Sequence, residues 1–104
     1  MAYKVYTTDT FEKKIEKLQN DEKERLTRLY LQLKDNPFVG DQVRYSFFRE
    51  KRIKEKRIYY LIYEDLNIVL LVAVSGKKDQ QKTIDYIVRY FNEFRRFAEE
   101  LSGD

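Results

Sequence analysis

The spacing of apolar residues divides the 104-residue chain into seven predicted elements. Near its start, Tyr3 and Val5 alternate with Lys4 and Tyr6, which predicts a short strand over residues 1–8. The next two segments have apolar residues every three or four positions, the spacing of one helix face. We therefore expect a strand followed by two helices.

Residues that favour helix ends bound the two predicted helices. Thr8 or Asp9 can accept hydrogen bonds from the free amides of a first turn, so the first helix is predicted over residues 9–19. The second is predicted from about Asp21 to Asn36, because the following proline disfavours helical backbone. The apolar positions are Phe11, Ile15, Leu18, Leu26, Leu29, Tyr30 and Leu33. The short link predicts a helical hairpin that covers one face of a sheet.

A third extended segment follows the helical hairpin. Val43, Tyr45 and Phe47 alternate with polar residues, which predicts a strand over residues 43–53. A β-bulge within this strand is compatible with its pattern. The chain is then expected to turn at Lys54-Glu55.

The strongest strand signal lies in the middle of the chain. Residues 57–64 are rich in β-branched and aromatic types, and residues 68–74 are apolar at every position. They predict an antiparallel hairpin with strands over 57–64 and 67–75 and a turn at 64–67. A strand that is apolar at both its odd and its even positions must be covered on both faces of the sheet. One predicted face holds Lys56, Ile58, Tyr60 and Ile62, and the other holds Arg57, Tyr59, Leu61 and Tyr63.

Beyond Lys78 the apolar spacing changes to three and four, which predicts one long helix over residues 80–101. Its apolar positions are Ile84, Ile87, Phe91, Phe94, Ala98 and Leu101. At about 1.5 Å per residue this helix would be roughly 33 Å long, longer than a small sheet is wide. We expect its first part to cover the second sheet face. Its distal part is expected to project and to pair with another copy of the chain or with a helix of a partner protein.

These elements predict a single α+β domain over residues 1–104, in the order β-α-α-β-β-β-α. An antiparallel sheet would carry the helical hairpin on one face and the long C-terminal helix on the other. The chain has no Cys and no His, which excludes disulfides, thiol nucleophiles, His-based ribonucleases and nearly all zinc enzymes. We expect neither a metal nor a cofactor. The start of the chain lacks the apolar stretch of a signal peptide, so we expect a cytoplasmic protein.

The charge pattern is compatible with a nucleic-acid partner, although charged runs of this kind are more often a solvated strand pair. The net charge is only +3, so binding of a polyanion requires clustered cations. Such a cluster lies within residues 44–57, offset only by Glu50 and Glu55. Its members are Arg44, Arg49, Lys51, Arg52, Lys54, Lys56 and Arg57.

Three segments resemble the RelE/ParE toxin superfamily of toxin-antitoxin systems. LKDNP at residues 33–37 is similar to the family's L-x-x-N-P helix end, and RIKEKRIYY at 52–60 is similar to its R-I-G-D-Y-R-I-I-Y hairpin. The segment at 70–83, with LL, KK and QQKT, resembles the L-L…K-K-T-Q-K-T segment of the HigB-like branch. The resemblance covers residues 3–84.

The resemblance implies the toxin of a type II toxin-antitoxin system that cleaves messenger RNA on the ribosome and is bound by a cognate antitoxin. The family's hairpin arginines fall on Arg52 and Arg57, and its basic position after the last strand falls on Lys77 or Lys78. Cleavage without a metal needs a base, cations for the phosphate and a donor for the leaving oxygen. The arginines could bind phosphate, either lysine could act as acid or base, and Glu50 is a candidate base. Further RNA contacts are expected from Arg49, Lys51, Lys54, Lys56 and Lys82.

Two features keep other interpretations open. Many RNA-cleaving relatives carry Tyr or His where this chain has Ile84, and Tyr86 lies two residues beyond. Arg57 could also form a structural ion pair with Glu55 or Glu64. The alternatives are a catalytically inactive relative that binds RNA, an antitoxin or itself, and a ParE-like gyrase inhibitor. A homodimer through the C-terminal helix is also expected.

Overall fold

The computed structural model describes residues 2–103, so the part of the predicted first strand at Met1 lies outside the described residues. The strands are β1 (Lys4–Thr7), β2 (Asp41–Val43), β3 (Tyr45–Ile53), β4 (Lys56–Tyr63) and β5 (Ile68–Ser75). The helices are α1 (Asp9–Ile15), α2 (Asn20–Asp35), α3 (Gln80–Arg89) and α4 (Phe91–Ser102), with a 3₁₀ turn at Pro37–Val39. No helix within residues 2–103 combines the length and the apolar character needed to cross a bilayer.

The five strands form one mixed sheet in the order β1-β5-β4-β3-β2. Neighbouring strands from β2 to β5 pair antiparallel, as short hairpin links require. β1 joins β5 in parallel, with Lys4 opposite Ile68 and Thr7 opposite Leu71. The α+β class is confirmed, but the expectation of a wholly antiparallel sheet is wrong for this edge. No hairpin links β1 to β5, so nothing in the local sequence sets the direction of β1.

The helical hairpin covers one face of the sheet, as predicted. The buried side chains on this face are Phe11, Leu18, Leu26, Leu29, Leu33, Ile53, Ile58, Tyr60, Ile62, Val69 and Leu71. The Thr8 hydroxyl accepts a hydrogen bond from the Phe11 amide at 3.2 Å, which fixes the start of α1. The Gln19 amide donates to the Glu22 carboxylate at 2.9 Å, so α2 begins one residue before the prediction. α1 ends at Ile15 and not at 19, because the chain enters tight turns there.

The opposite face is covered by two helices where one was predicted. The backbone at Tyr90 leaves helical geometry, with φ −107° and ψ 20°, and separates α3 from α4. The predicted apolar stripe continues across this bend, and Ile87 and Ala98 are fully buried. The expected projection of the distal part is therefore wrong, because Phe94 and Leu101 of α4 pack against the sheet. The homodimer that was argued from this projection stays a prediction.

The predicted strand over 43–53 is divided into β2 and β3. Arg44 has φ 65° and reverses the chain, and the pairing shifts register between Gln42 and Val43. The turns predicted at residues 54–55 and 64–67 are confirmed, since Lys54 and Asn67 have φ 54° and 60°. These tight turns fix which residues of β3, β4 and β5 lie side by side.

Candidate functional site

Strand register brings predicted site residues together at one end of the sheet, where β3 ends, β4 begins and β5 ends. Arg52 of β3 lies opposite Arg57 of β4, and Arg57 lies opposite Ser75, the last residue of β5. Lys77 and Lys78 follow Ser75 in the exposed loop before α3. Three chain segments therefore bring four of the five predicted catalytic residues to one end of the sheet.

The fifth residue, Glu50, forms an ion pair with Arg57. The distance from Nη1 of Arg57 to Oε1 of Glu50 is 3.4 Å, and the two side chains are 26% and 21% exposed. The Gln80 amide, at the start of α3, can accept a hydrogen bond from Nη2 of Arg57 at 3.0 Å when its oxygen faces the guanidinium. Arg57 therefore forms a structural ion pair, but not with Glu55 or Glu64, the partners that the sequence left open. Glu55 lies in the β3–β4 turn and Glu64 lies beyond the far end of β4, whereas Glu50 projects from the same face as Arg57.

Beside this ion pair, a buried hydroxyl pair connects β4 to β5. The oxygens of Tyr59 and Ser75 are 3.0 Å apart, and the two residues are 0% and 5% exposed. Burial raises the pKa of the Tyr59 phenol above its ordinary value, so this group is neutral at physiological pH. Tyr59 also packs in the core beneath α3 and α4. The hydroxyl contact ties β4 to β5 at Ser75, the register partner of Arg57.

The other predicted RNA contacts on β3 and in its turn lie away from Arg57. The neighbouring β3 positions Arg49 and Lys51 pair with Tyr60 and Ile58, and therefore project toward the α1–α2 face. Arg49 donates to the carbonyl oxygens of Gly40 and Ser46, at 3.1 and 2.8 Å. Its guanidinium also lies 5.1 Å from the centre of the Phe38 ring. The side chain of Arg49 is therefore largely committed to the fold.

The turn residues near the site are also engaged. Lys54 forms an ion pair with Asp21 at the start of α2. This contact lowers the pKa of the Asp21 carboxyl below its ordinary value. The Arg52 guanidinium donates through Nε to the Lys54 carbonyl at 2.9 Å but remains exposed. Arg52 therefore has donors left for a ligand, whereas Lys54 ties the turn to α2.

A cavity of about 380 Å³ lies beyond the end of β5, between α1 and α3. Its wall consists of Lys14, Lys17, Leu18, Lys56, Val74, Ser75, Gly76, Asp79, Lys82 and Thr83. Lys56 and Lys82 were predicted as RNA contacts, so the structure brings these two together. Lys14 and Lys17 were not predicted from the sequence, because lysines three apart on an amphipathic helix are typical of a solvated face.

The fold itself is shared with known structures, although no protein-family model matches the sequence and the search of curated proteins found no match. A mutant of the E. coli toxin RelE in the free state matches with TM-score 0.73 and 17% identity, over 86% of this chain and 97% of that chain. The chain has the RelE toxin fold. A RelE–RelB complex from Pyrococcus horikoshii gives TM-score 0.67 and 14% identity, over 74% and 97% of the two chains. The toxin-antitoxin complex RelBE2 from Mycobacterium tuberculosis gives 0.64 and 21%, over 74% and 100%.

The RelE fold confirms the predicted resemblance at the level of structure. The structure also shows the surroundings of Ile84, which lies where many RNA-cleaving relatives carry Tyr or His. Ile84 is half-buried and packs into the core beneath α3, whereas Tyr86 is 43% exposed and packs against the Tyr90 ring at 5.0 Å. Ile84 contributes packing and has no group that can transfer a proton.

Proposed function

We propose that this protein is a RelE-type toxin that cleaves messenger RNA on the ribosome and is bound by a cognate antitoxin. The observation that supports this most strongly is the register that sets Arg52 opposite Arg57 and Arg57 opposite Ser75, from which Lys77 and Lys78 continue. Cations from three segments at one end of a RelE-fold sheet are suited to an RNA phosphate. Several structural relatives are toxin-antitoxin complexes, which supports an antitoxin as partner.

In the proposed reaction the scissile phosphate binds to Arg57 and Arg52. Glu50, 3.4 Å from Arg57, accepts the proton of the ribose 2′-hydroxyl, and the 2′-oxygen attacks phosphorus. The guanidinium groups stabilise the negative charge that develops on the phosphate oxygens. The bond from phosphorus to the 5′-oxygen breaks, and Lys77 or Lys78 donates a proton to that oxygen. The products are a 2′,3′-cyclic phosphate and a free 5′-hydroxyl, and no external reactant is consumed.

Induced expression in bacteria tests the proposal, with messenger RNA ends mapped in the same cells. Wild-type protein is expected to arrest growth and to produce cleavages in phase with codons. Arg57→Ala and the double variant Lys77→Ala/Lys78→Ala should abolish both effects. Lys23→Ala, an exposed change on α2, is the control and should leave them intact. Harmless expression of wild type with intact transcripts would count against the proposal.

A second candidate function is a RelE-fold module that binds RNA or an antitoxin without cleaving. It is favoured by the packing role of Ile84 and by the engagement of Arg57 with Glu50 and Gln80. Purified protein would distinguish the two functions. Binding of ribosomes or of a short RNA with no cleavage by wild-type protein would support the module, whereas cleavage that Glu50→Gln abolishes would support the enzyme.

A further inference from the structure

We propose that the lysine-lined cavity between α1 and α3 holds a phosphate of the RNA strand beside the cleaved bond. This inference rests on the proposed function and extends its binding site to a second location. Four lysines from three separate elements converge on one concavity: Lys14 and Lys17 from α1 and the turn after it, Lys56 from β4, and Lys82 from α3. Only the fold brings these four lysines together. The cluster of cations within residues 44–57 of the sequence does not predict their proximity.

The charge of the cavity wall favours an anion strongly. Four lysines and the single carboxylate of Asp79 give the wall a formal charge of +3. Within residues 2–103, none of the ion pairs that the structure forms involves these four lysines. Positive groups around a concave, low-dielectric wall focus the field on a ligand of opposite charge.

One residue of the cavity wall adjoins the proposed cleavage site. Ser75 belongs to the cavity wall and is also the register partner of Arg57. The adjoining Gly76 faces open space, since a Cβ built there would have no heavy atom within 4 Å. An RNA strand with one phosphate at Arg57 can therefore pass over Gly76 and place a neighbouring phosphate among the lysines.

The groups in the wall suit a phosphate better than a peptide carboxylate. Phosphate oxygens accept several hydrogen bonds at once, and the wall offers lysine ammonium groups together with the Thr83 hydroxyl. Ser75 is less available, because its hydroxyl is already bonded to Tyr59. The ligand we assign is therefore a backbone phosphate, bound by charge and without reading of the base.

The test is the salt dependence of binding of a fluorescent 2′-O-methyl oligoribonucleotide, which cannot be cleaved. Lys14→Gln/Lys82→Gln is expected to weaken binding at least about tenfold, because hydrogen bonds between charged groups are removed. The slope of log affinity against log salt should fall by about 0.7 for each phosphate that the variant no longer neutralises. Lys23→Gln/Lys34→Gln removes the same charge from exposed positions on α2 and should change the slope much less. Thermal unfolding of both variants checks that each is folded.

Three results would overturn the inference. Equal slopes for the cavity variant and its control would mean that only overall charge matters. If oligoglutamate competes as strongly as RNA of equal charge, and the cavity variant abolishes this competition, the ligand of the cavity is an acidic protein segment. Pyrophosphate binding that the variant loses while the RNA slope is unchanged would assign it to a free phosphate compound. Because the probe cannot be cleaved, the expected change in slope does not depend on nuclease activity. It would therefore still be observed if only the proposed cleavage were disproved.

Discussion

The phenol oxygen of Tyr60 lies 2.9 Å from the backbone nitrogen of Gly40 and accepts its hydrogen bond. The same hydroxyl donates to the carbonyl oxygen of Pro37 at 2.8 Å. A Cβ on Gly40 would lie 2.6 Å from both the Tyr60 hydroxyl and the Glu50 carbonyl, so only glycine fits. Tyr60, at the centre of β4, therefore holds the segment after α2 against the backbone of Glu50, whose side chain is the candidate base.

Tyr60→Phe is expected to lower the free energy of unfolding by about 2–3 kcal/mol, because the buried amide of Gly40 and the carbonyl of Pro37 both lose their partner. Urea unfolding measures the change. A decrease below about 0.5 kcal/mol would mean that water replaces the hydroxyl without cost.

Tyr30→Phe makes the same chemical change with the opposite expected sign. The Tyr30 hydroxyl is buried and has no hydrogen-bond partner within residues 2–103. Removing an unsatisfied hydroxyl should raise the free energy of unfolding by about 1 kcal/mol. Measured beside Tyr60→Phe, a comparable destabilisation of both variants would contradict the difference in their hydrogen bonding.

Alkaline pH should destabilise the protein from about pH 10 upward. Burial raises the pKa of Tyr60 to about 12 and that of Tyr30 to about 12, from an ordinary value of 10.0. Between these values the unfolded chain releases protons that the native state keeps, so stability falls as pH rises, by up to about 1.4 kcal/mol per pH unit for each phenol. Urea unfolding of wild type and Tyr30→Phe at pH 9, 10 and 11 should give a shallower decline for the variant. Parallel declines would show that Tyr30 does not contribute.

The docking of α4 should weaken in acid. Arg95 of α4 donates to both carboxylate oxygens of Asp65, at 2.9 and 2.6 Å, and this contact lowers the pKa of Asp65 below 3.8. Because the pKa of Asp65 is lower in the folded protein than in the unfolded chain, the contact stabilises the folded state at pH values above the ordinary pKa. This stabilisation is lost as the pH falls through the pKa of the folded state. At neutral pH, Asp65→Asn should reduce hydrogen-exchange protection in α4 and leave β4 and β5 unchanged. Glu93→Gln, which alters only an exposed pair with Arg96, is the control.

Arg44→Gly should stabilise the protein by about 1 kcal/mol, because Arg44 has φ 65°, a region that costs non-glycine residues energy. Its contact with Asp85 is long, at 3.6 Å, and exposed, so removing the side chain costs little. Asn67→Gly, at φ 60°, should gain less, because Asn tolerates this region. Thermal or urea unfolding of both variants tests the ranking.

Much of the fold was predictable because local rules and long-range packing agree. Alternation in β4 assigned Tyr59 and Tyr60 to opposite faces, and both assignments are confirmed. The bend at Tyr90 was not predictable, because no Pro or Gly marks it and the apolar spacing runs through it unbroken. Its origin is tertiary: the Phe91 ring lies 5.4 Å from that of Phe47 and 5.7 Å from that of Phe48.

The site was predictable only where hairpin register decides it. A turn at Lys54 sets Arg52 opposite Arg57, and the sequence shows that turn. The approach of Lys14 to Lys82 joins α1 to α3 across the end of the sheet, and no local pattern encodes it. The catalytic roles of Arg57, Glu50 and the loop lysines remain predictions.

The two edges of the sheet are short, since β1 has four residues and β2 has three. Short edges discourage other chains from adding a strand. The segment best suited to self-association is instead β5 (Ile68–Ser75), an apolar and uncharged run that is enclosed between β1 and β4 in the native state. Aggregation of this protein should therefore require exposure of its centre. Its solubility during expression will follow its global stability more closely than its surface composition.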